Sequence, residues 1–233
     1  MSLPCFYEEN IQQPAHILSE ETSKHCVQVL RMKAGERLQL TDGKGHLFTA
    51  IIMDADKKHC GVKIEAASFR SQAASSVSIA ISLLKNPSRF EWFLEKVTEI
   101  GVNEIIPLIC DYTEKYNFRS DRMHNILVSA MLQSRQTWLP LLHQPKKFDV
   151  FVDEDFDGIK LIAHCAEEDK RSILDIVNPP KNKLILIGPE GDFSAAEIGH
   201  ALKKNFIPVT LGGTRLRSET AGMVAAALLA NAG

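Results

Sequence analysis

The sequence predicts an α/β fold class in which a small β-rich domain precedes a larger domain with a mostly parallel sheet. Residues 36–66, "ERLQLTDGKGHLFTAIIMDADKKHCGVKIEA", alternate strand-like runs with turn residues. After the polar link "FRSQAASS", strand and helix patterns alternate. Within that second part, "LILIGPEGDFSAAEI" is an apolar run, a glycine- and proline-containing loop and the start of a helix. We therefore expect domains over residues 1–70 and 77–233.

Turn residues delimit the strands of the first domain. Asp42-Gly43 and residues 54–58 interrupt the apolar runs, which fits a small antiparallel barrel or meander. In the second domain, "VSIAISLL", "EIIPLI", "IKLIAHC" and "FIPVTL" are strand-like. Helices are predicted in "PSRFEWFLEKVTEIG", ended by Gly101, in "SDRMHNILVSAMLQSR", opened by Ser120, and around "RSILDIV".

The stretch "LILIGPEGDFSAAEI" contains strong signals for a strand, a loop and a helix. Ser194 and Glu197 have the spacing of a capping box, and Phe193 and Ile198 flank them at staple spacing. The loop at residues 188–192 thus follows the carboxyl end of a buried strand, where open α/β sheets bind ligands. An ordinary strand-to-helix turn with a good cap explains these residues equally well.

The carboxylates of Glu190 and Asp192 are unexpected in such a loop. A phosphate would bind backbone N–H groups at the helix start, but the lysine and hydroxyl residue of a P-loop and the three-glycine dinucleotide fingerprint are both missing. Carboxylates here suit a ligand with positive charge, or they order the loop itself. A second loop, in "VTLGGTRLRSETAGMVAAALL", also lies between a strand and a helix, and Gly222 would let that helix approach another backbone closely. The two loops could enclose one ligand.

Composition restricts the class of protein. The 233 residues are 45% hydrophobic and 24% charged, with no apolar run of membrane-spanning length and no signal-peptide pattern at the start, so we expect a cytoplasmic protein. Five scattered cysteines without a C-x-x-C pair predict reduced thiols and no disulfide framework or zinc site. We expect no membrane partner and no metal.

The net charge of −2 hides an uneven distribution. One acid, Asp121, lies among the basic residues of the segment 115–147, whereas residues 149–175 are acidic. The basic residues are Lys115, Arg119, Arg122, Arg135, Lys146 and Lys147. Such a patch suits a selective RNA contact, although a solvated helix face has the same composition.

"LIGPEGDFSAAE" together with "LGGTRLRSETA" resembles the RsmE family, methyltransferases of the SPOUT class that act on ring nitrogen 3 of a uridine in small-subunit (16S) ribosomal RNA. The segments "HCVQVLRMKAGE", "LTDGKG", "EKVTEIGVNEIIPL" and "AMLQS", followed by Pro140, extend the likeness over nearly the whole chain. The resemblance implies a PUA-like N-terminal β-barrel domain that binds RNA and a C-terminal domain with a deep trefoil knot. It also implies S-adenosyl-L-methionine as cofactor, a homodimer, and small-subunit ribosomal RNA or the 30S subunit as partner.

The resemblance assigns site residues to this chain. The implied cofactor contacts are Ala163, His164, Ile187, Gly188, Pro189, Glu190, Gly191, Leu211, Gly212, Leu216, Arg217, Thr220 and Ala221. Family members commonly have a second glycine where this chain has Asp192, and a Glu-Gln pair and then an arginine where it has Leu132-Gln133, Arg135 and Gln136. The first departure should leave cofactor binding intact. The second could change the RNA contacts of the helix predicted in "SDRMHNILVSAMLQSR".

Two residue types in the second loop suit the implied chemistry. The attacking ring nitrogen is protonated at neutral pH, so the enzyme must remove that proton or stabilise the uridinate. We assign Arg217 to stabilising negative charge on a uracil oxygen and Glu219 to proton removal, although Glu219 could simply complement the helix dipole. The expected RNA-binding residues are His25, Arg31, Lys33, Arg119, Arg122 and Arg135.

The final helix, "AGMVAAALLANAG", has hardly any polar face. On a monomer it would expose a sticky surface, so we expect a partner chain to cover it and to complete the active site. A helix buried in the core of one chain would have the same composition. Two alternative functions remain open: a methyltransferase of this fold acting on another RNA position, and a non-catalytic RNA-binding protein.

Overall fold

The computed structural model describes residues 3–114, 117–166, 169–176 and 181–231. The chain divides into two compact units, the first made of Met1–Gln72 with Met131–Leu139 and the second of Ala73–Ala130 with Pro140–Gly233. The sequence prediction did not anticipate that Met131–Leu139 groups with the first unit. Lys115, which was counted in the basic segment, lies outside the described residues.

The first unit contains a five-stranded sheet of order β1-β3-β4-β5-β2. Its strands are β1 (Cys5–Tyr7), β2 (Ala15–Ile17), β3 (Arg37–Thr41), β4 (His46–Asp54) and β5 (Gly61–Phe69), and the short helix α1 (Glu20–Lys24) continues into a π-helical turn, His25–Val29. The two predicted turns join β3 to β4 and β4 to β5. The antiparallel prediction for residues 36–66 is confirmed for β3, β4 and β5, whereas β1, outside that segment, runs parallel to β3. The long excursion between β1 and β3 allows this parallel pairing.

The second unit contains a parallel sheet. Its path is β11-β13-β10-β12-β6-β7-β8, with β9 also paired to β7, and every strand pair in the described part of this sheet is parallel. The strands are β6 (Val77–Ser82), β7 (Glu104–Ile109), β8 (Leu141–Leu142), β9 (Lys146–Lys147), β10 (Ile159–Ala163), β11 (Arg171–Ser172), β12 (Lys183–Ile187) and β13 (Ile207–Thr210). The predicted fold class, a small β-rich part and a mostly parallel α/β part, is confirmed. The knot stays a prediction.

Five helices of the described residues accompany this sheet: α2 (Pro87–Ile100), α3 (Ser120–Gln133), α4 (Phe148–Val152), α5 (Ala195–Lys203) and α6 (Ser218–Ala230). The apolar residues predicted for α2 form its buried face, including Phe90, Phe93 and Val97. Asn86 caps this helix, and Gly101 ends it in the left-handed conformation with a φ of 94°. The prediction for this segment is therefore confirmed.

The helix predicted around "RSILDIV" is wrong. Arg171–Ser172 forms β11, paired with Val209 and Thr210, and Ile173–Asp175 is a single 3-10 turn. Val177, the last residue of that prediction, lies outside the described residues. The spacing of Ile173 and Ile176 suits one helical turn, but pairing with the sheet edge determines the conformation of the preceding residues.

Helix α6 is partly core within the chain. Gly222, Ala225, Ala226 and Leu229 are buried, and the helix packs against α2, β6 and β12. A Cβ atom on Gly222 would lie 2.6 Å from Cε2 of Phe93. The glycine therefore leaves room for the side chains of Phe93 on α2 and Ile81 on β6, the elements against which α6 packs. Among the described residues, no helix has the length and apolar character needed to cross a membrane.

Candidate active site

The second unit has a cavity of about 750 Å³ at the carboxyl ends of three neighbouring parallel strands, β10, β12 and β13. Small-molecule sites typically measure about 300–1,000 Å³. The two loops singled out in the sequence both line it, together with the segment after β10. The lining residues are Ala163, His164, Cys165, Lys170, Ile187, Gly188, Pro189, Glu190, Asp192, Val209, Thr210, Leu211, Gly212, Gly213, Thr214, Arg215, Leu216, Arg217, Ser218 and Ala221.

Asp192 orders the loop that follows β12. Its backbone φ is 70°, in the left-handed region that Asp tolerates better than most residues. One carboxylate oxygen accepts a hydrogen bond from the N–H of Phe193 at 2.9 Å, and the other accepts from the N–H of Cys165 at 2.7 Å. The alternative that a carboxylate orders this loop therefore holds for Asp192.

Glu190 has a different environment. It is exposed and lines the cavity, and its Oε1 accepts a hydrogen bond of 3.3 Å from the backbone N–H of Lys85. The Lys85 ammonium pairs with Glu114 instead, at 2.8 Å. The Glu190 carboxylate is consequently available to a ligand that carries positive charge.

The predicted capping box fixes the start of α5. Ser194 Oγ accepts from the Glu197 N–H at 3.2 Å, and Glu197 Oε2 accepts from the Ser194 N–H at 2.9 Å. The structure adds Asp111, which accepts a hydrogen bond from Ser194 Oγ at 2.6 Å and donates its N–H to Glu197 Oε1 at 2.9 Å. Burial raises the pKa of Glu197, and these N–H donors oppose the rise. The network ties the end of β7 to the helix that follows the cavity loop.

Three cations line the cavity, and the sequence predicted only Arg217. Lys170 donates from Nζ to the carbonyl oxygen of His164 at 2.7 Å, which holds the ammonium group at the cavity wall. Arg215 is exposed in the loop after β13. No motif identified Lys170, although Arg215 lies between two predicted contacts, Gly212 and Leu216.

The predicted cofactor contacts line the cavity except for Gly191 and Thr220. Gly191 is exposed beside Tyr112, and a Cβ atom on it would lie 3.4 Å from the Tyr112 Cβ atom. Thr220 is half-buried in the first turn of α6. Gly188 is in a tight position, since an added Cβ would lie 3.2 Å from the Phe193 ring and backbone nitrogen.

The two predicted catalytic residues lie in different environments. Arg217 is exposed at the N-cap position of α6 and lines the cavity. Glu219 is buried, does not line the cavity, and has Oε1 3.8 Å from Nε of Arg89. Its Oε2 atom has no hydrogen-bond partner among the described residues. Glu219 therefore fits the alternative of a first-turn carboxylate that complements the helix dipole.

The predicted RNA-binding residues fall in both units. His25, Arg31, Lys33 and Arg135 are exposed in the first unit, where the His25 ring meets Phe6 edge-on at 5.7 Å. His25 is therefore an exposed residue whose ring also packs against the buried Phe6.

In the second unit Arg119 is exposed, whereas Arg122 binds Glu91 through both Nε and a terminal nitrogen, the latter at 2.7 Å. Lys146 similarly pairs with Glu154 at 2.6 Å. These glutamates therefore neutralise part of the positive charge of the basic segment. Over the described ranges, no three His, Cys, Asp or Glu residues are grouped as metal ligands.

Comparison with known families and structures agrees with this geometry. A family model described as an RNA methyltransferase domain matches residues 71–230, and one described as an RNA methyltransferase PUA domain matches residues 18–65. The fold and the cavity thus define an RNA methyltransferase of the SPOUT type with an N-terminal PUA-like domain. The chain belongs to the RsmE family, as its motifs predicted.

Three relatives illustrate the likeness. Ribosomal RNA small subunit methyltransferase E of Rickettsia conorii is 27% identical over 90% of this chain and 87% of its own. The crystal structure of a probable rRNA-methyltransferase from Porphyromonas gingivalis is 38% identical, with a TM-score of 0.90 over 96% of this chain and 95% of that one. The crystal structure of a ribosomal RNA small subunit methyltransferase E from Neisseria gonorrhoeae, bound to S-adenosyl methionine, is 26% identical. Its TM-score is 0.85 over 97% of this chain and 96% of that one. The cofactor prediction is confirmed at the level of the family.

Proposed function

We propose that this chain transfers a methyl group from S-adenosyl-L-methionine to ring nitrogen 3 of a uridine in small-subunit (16S) ribosomal RNA. The observation that carries the proposal is the cavity between the loops after β12 and β13, formed by the two segments whose sequences identified the family. The size of this cavity, about 750 Å³, suits a cofactor of this class.

The residues at the cavity fit the charges of the cofactor. S-adenosylmethionine supplies an electrophilic methyl group on a positively charged sulfonium, and it carries an ammonium and a carboxylate group as well. The exposed Glu190 carboxylate suits the positive groups, and the Lys170 ammonium suits a negative one. The glycine-rich turns leave backbone N–H and C=O groups to hold an adenine ring.

Arg217 is the residue best placed to activate the uridine. It lines the cavity and is exposed, so a uracil oxygen can reach the guanidinium, which stabilises negative charge as the N3 proton leaves. Glu219 does not line the cavity, so we propose that Arg217 activates the uridine by stabilising the uridinate, without proton transfer to Glu219. In-line attack also requires both reactants to be aligned within the same cavity.

We further propose that the chain works as a homodimer in the cytoplasm. Val224, Ala227 and Leu228 of α6 are half-buried apolar residues at helical spacing, in addition to the residues that pack inside the chain. A two-fold interface along this face would cover them and would bring a second chain near the start of α6, where Arg217 is the N-cap residue. Arg217 of one chain could then act over the cofactor of the other.

RNA binding is proposed for both units. His25, Arg31, Lys33 and Arg135 present exposed basic or aromatic groups in the first unit, and Arg119 does so in the second. Exposed guanidinium and ammonium groups bind phosphates and make affinity depend on salt. Arg122 contributes to RNA binding only if an RNA phosphate displaces the Glu91 carboxylate from its guanidinium group. The substrate is the 30S subunit or its free RNA.

Nucleoside analysis tests the proposal. Small subunits from cells that lack the protein are incubated with the purified chain and S-adenosylmethionine, then digested and analysed by mass spectrometry. We expect 3-methyluridine to appear. A different methylated nucleoside would favour a methyltransferase of the same fold with another target. Calorimetry that detects no binding of S-adenosylmethionine or its demethylated product would favour the non-catalytic alternative.

A further inference from the structure

The "LTDGKG" motif of the first unit supports a cluster of aromatic rings outside the cofactor cavity. The Phe69 ring centroid lies 5.0 Å from that of His46 and 5.9 Å from that of Trp138, which it meets edge-on. Phe69 and His46 are directly paired across β4 and β5. We call these three residues, His46, Phe69 and Trp138, the aromatic platform.

The backbone holds the aromatic platform in one arrangement. Gly45 has a φ of +96°, and a Cβ atom on it would lie 2.6 Å from the Trp138 ring and 2.8 Å from the Phe69 ring. The Gly45 N–H donates to Thr137 O at 2.9 Å, and the Gly45 carbonyl accepts from the Arg70 N–H at 2.9 Å. The Trp138 indole N–H donates to Arg70 O at 2.8 Å. The Phe69 and Trp138 rings therefore pack against Gly45, and the hydrogen bonds of Gly45 and Arg70 hold the two segments together.

Part of the aromatic platform is nevertheless exposed to solvent, whereas Trp138 is half-buried. Phe69 is 58% exposed, and the His46 side chain is 45% exposed. A phenyl ring that is rigidly held but largely exposed gains little from burial, so packing alone does not explain it. A rigid, exposed ring can stack on a nucleobase at low conformational cost.

Charge favours a nucleic acid as the occupant of this surface. Lys44 is exposed and forms a β-bridge with Trp138, and the exposed Arg70 directly follows Phe69. The adjacent carboxylate of Asp42 is occupied by Nδ1 of His46 at 2.7 Å. Cations flanking stacked aromatic rings are the usual combination for single-stranded RNA, because phosphates follow each base.

We propose that the aromatic platform stacks an unpaired base of the RNA substrate, with Lys44 and Arg70 beside its phosphates. This inference rests on the proposed function only in taking RNA as the partner. It adds a base-contacting surface to the exposed phosphate-binding residues described above. A protein partner at the same surface is the competing possibility that the experiments must separate.

Fluorescence of Trp138 provides the first test. The chain has two tryptophans, so Trp92→Phe leaves Trp138 as the only indole fluorophore. Titration with a short oligouridine should quench its emission, whereas an RNA duplex of similar length should quench it much less, because paired bases are not free to stack. Equal quenching by both, or none by either, would overturn the stacking role.

Substitution of Phe69 provides the second test. Phe69→Ala should weaken binding of oligouridine and of small subunits about tenfold, and Phe69→Leu should weaken it nearly as much because the π-face is lost. Phe69→Tyr should restore binding. Leu174→Ala is the matched control, since Leu174 is also 58% exposed. A circular dichroism spectrum and a urea midpoint like those of the parent show that each variant is folded.

The outcomes separate this inference from the proposed function. If the methylated nucleoside is not 3-methyluridine, the ratio of RNA affinities between the parent and Phe69→Ala should still be about ten. If Phe69→Ala binds RNA as tightly as the parent, the platform does not stack bases. Weaker binding of small subunits together with unchanged binding of oligouridine would instead indicate that the surface contacts a ribosomal protein.

Discussion

The carboxylate of Asp192 accepts a hydrogen bond from the backbone N–H of Cys165 at 2.7 Å and thereby joins two segments of the cofactor cavity. These residues lie in the loop after β12 and in the segment after β10. The other carboxylate oxygen accepts from the N–H of Phe193, so both oxygens of Asp192 are used. The bond should hold the two segments at the spacing that the cofactor needs.

We expect Asp192→Gly to weaken S-adenosylmethionine binding about tenfold, because hydrogen bonds to a charged group are lost while the left-handed backbone remains easy to adopt. Asp192→Asn should have a smaller effect, since the amide oxygen still accepts one N–H. Calorimetry measures the affinities, and hydrogen exchange should show faster exchange of the Cys165 amide.

Asp56→Asn is a matched control for that experiment. Asp56 also accepts two backbone hydrogen bonds, from Lys58 at 2.7 Å and His59 at 2.9 Å, but it belongs to the first unit. Its substitution should leave cofactor affinity unchanged. Equal affinity in the parent and in Asp192→Gly would mean that the cavity needs no such bond.

Arg217 and Glu219 should respond differently to substitution. Arg217→Ala should lower the rate of methyl transfer about a hundredfold, the usual cost of removing a donor aimed at developing negative charge. Glu219→Gln should retain the rate within about threefold, because the carboxylate lies beside Arg89 outside the cavity. Single-turnover assays at saturating S-adenosylmethionine measure both. A hundredfold loss in Glu219→Gln with intact cofactor affinity would return Glu219 to the role of proton acceptor.

Local sequence patterns predicted the parts of the site that depend on neighbours along the chain. The capping box at Ser194 and the strand before Gly188 needed only residue types at short spacing. The bond between Asp192 and Cys165 joins residues 27 positions apart, and no spacing rule reports it. Lys170 was not predicted either, because no sequence motif marks its hydrogen bond to the carbonyl oxygen of His164.

The residues whose surroundings differ from the sequence prediction depend on side-chain direction or on pairing with distant residues. Glu219 has a catalytic residue type, but residues two apart on a helix do not face the same way, so Glu219 points inward while Arg217 lines the cavity. Ile173 and Ile176 have helical spacing, which led to the prediction of a helix. The preceding residues, Arg171–Ser172, form a strand because they pair with β13. The aromatic platform combines Phe69 with a residue 69 positions later, Trp138, and no local sequence pattern predicts such a contact.

Two helical glycines should show opposite effects on stability. Gly222→Ala places a Cβ atom 2.6 Å from the Phe93 ring, so we expect a loss of about 1–3 kcal/mol in the free energy of unfolding. Gly199→Ala in α5 meets no atom within 4 Å and should gain about 0.5–1 kcal/mol, because alanine favours helix. Urea denaturation measures both. A neutral Gly222→Ala would show that Phe93 can move aside.

His200 should make stability depend on pH. Its Nδ1 lies 3.1 Å from Asp149 and its Nε2 lies 3.0 Å from Asp153, and these hydrogen bonds raise the pKa of His200. A raised folded-state pKa gives a contribution that is complete below the unfolded value of about 6.5 and is lost as pH rises through the folded value.

We therefore expect His200→Gln to lower the urea midpoint more at about pH 5.5 than at about pH 8.5. Lys204, 2.8 Å from the Asp153 carboxylate, lowers the pKa of Asp153, so this partner of His200 keeps its negative charge as the pH falls to about 5.5. His124→Gln is a control at an exposed histidine on α3. A difference between parent and His200→Gln that does not change with pH would contradict the prediction.

The outer face of α6 provides the last prediction, that the proposed dimer forms there. Ala226 has no exposed surface, so a charge at that position would disrupt the core of the chain and would not test association. Ala227 is the adjacent half-buried residue, and Ala227→Arg should leave a folded chain. On the dimer hypothesis its large charged side chain separates two copies of the helix, and methyl transfer is lost with the composite site.

Sedimentation velocity should show a dimer for the parent and a monomer for Ala227→Arg. Ala196→Arg, on the exposed side of α5, should remain a dimer and retain activity. A circular dichroism spectrum like that of the parent is needed to show that Ala227→Arg is folded. Because α6 begins at the second loop of the cavity, loss of the partner should also weaken S-adenosylmethionine binding. A parent protein that is monomeric at micromolar concentration while it methylates small subunits would refute the shared active site.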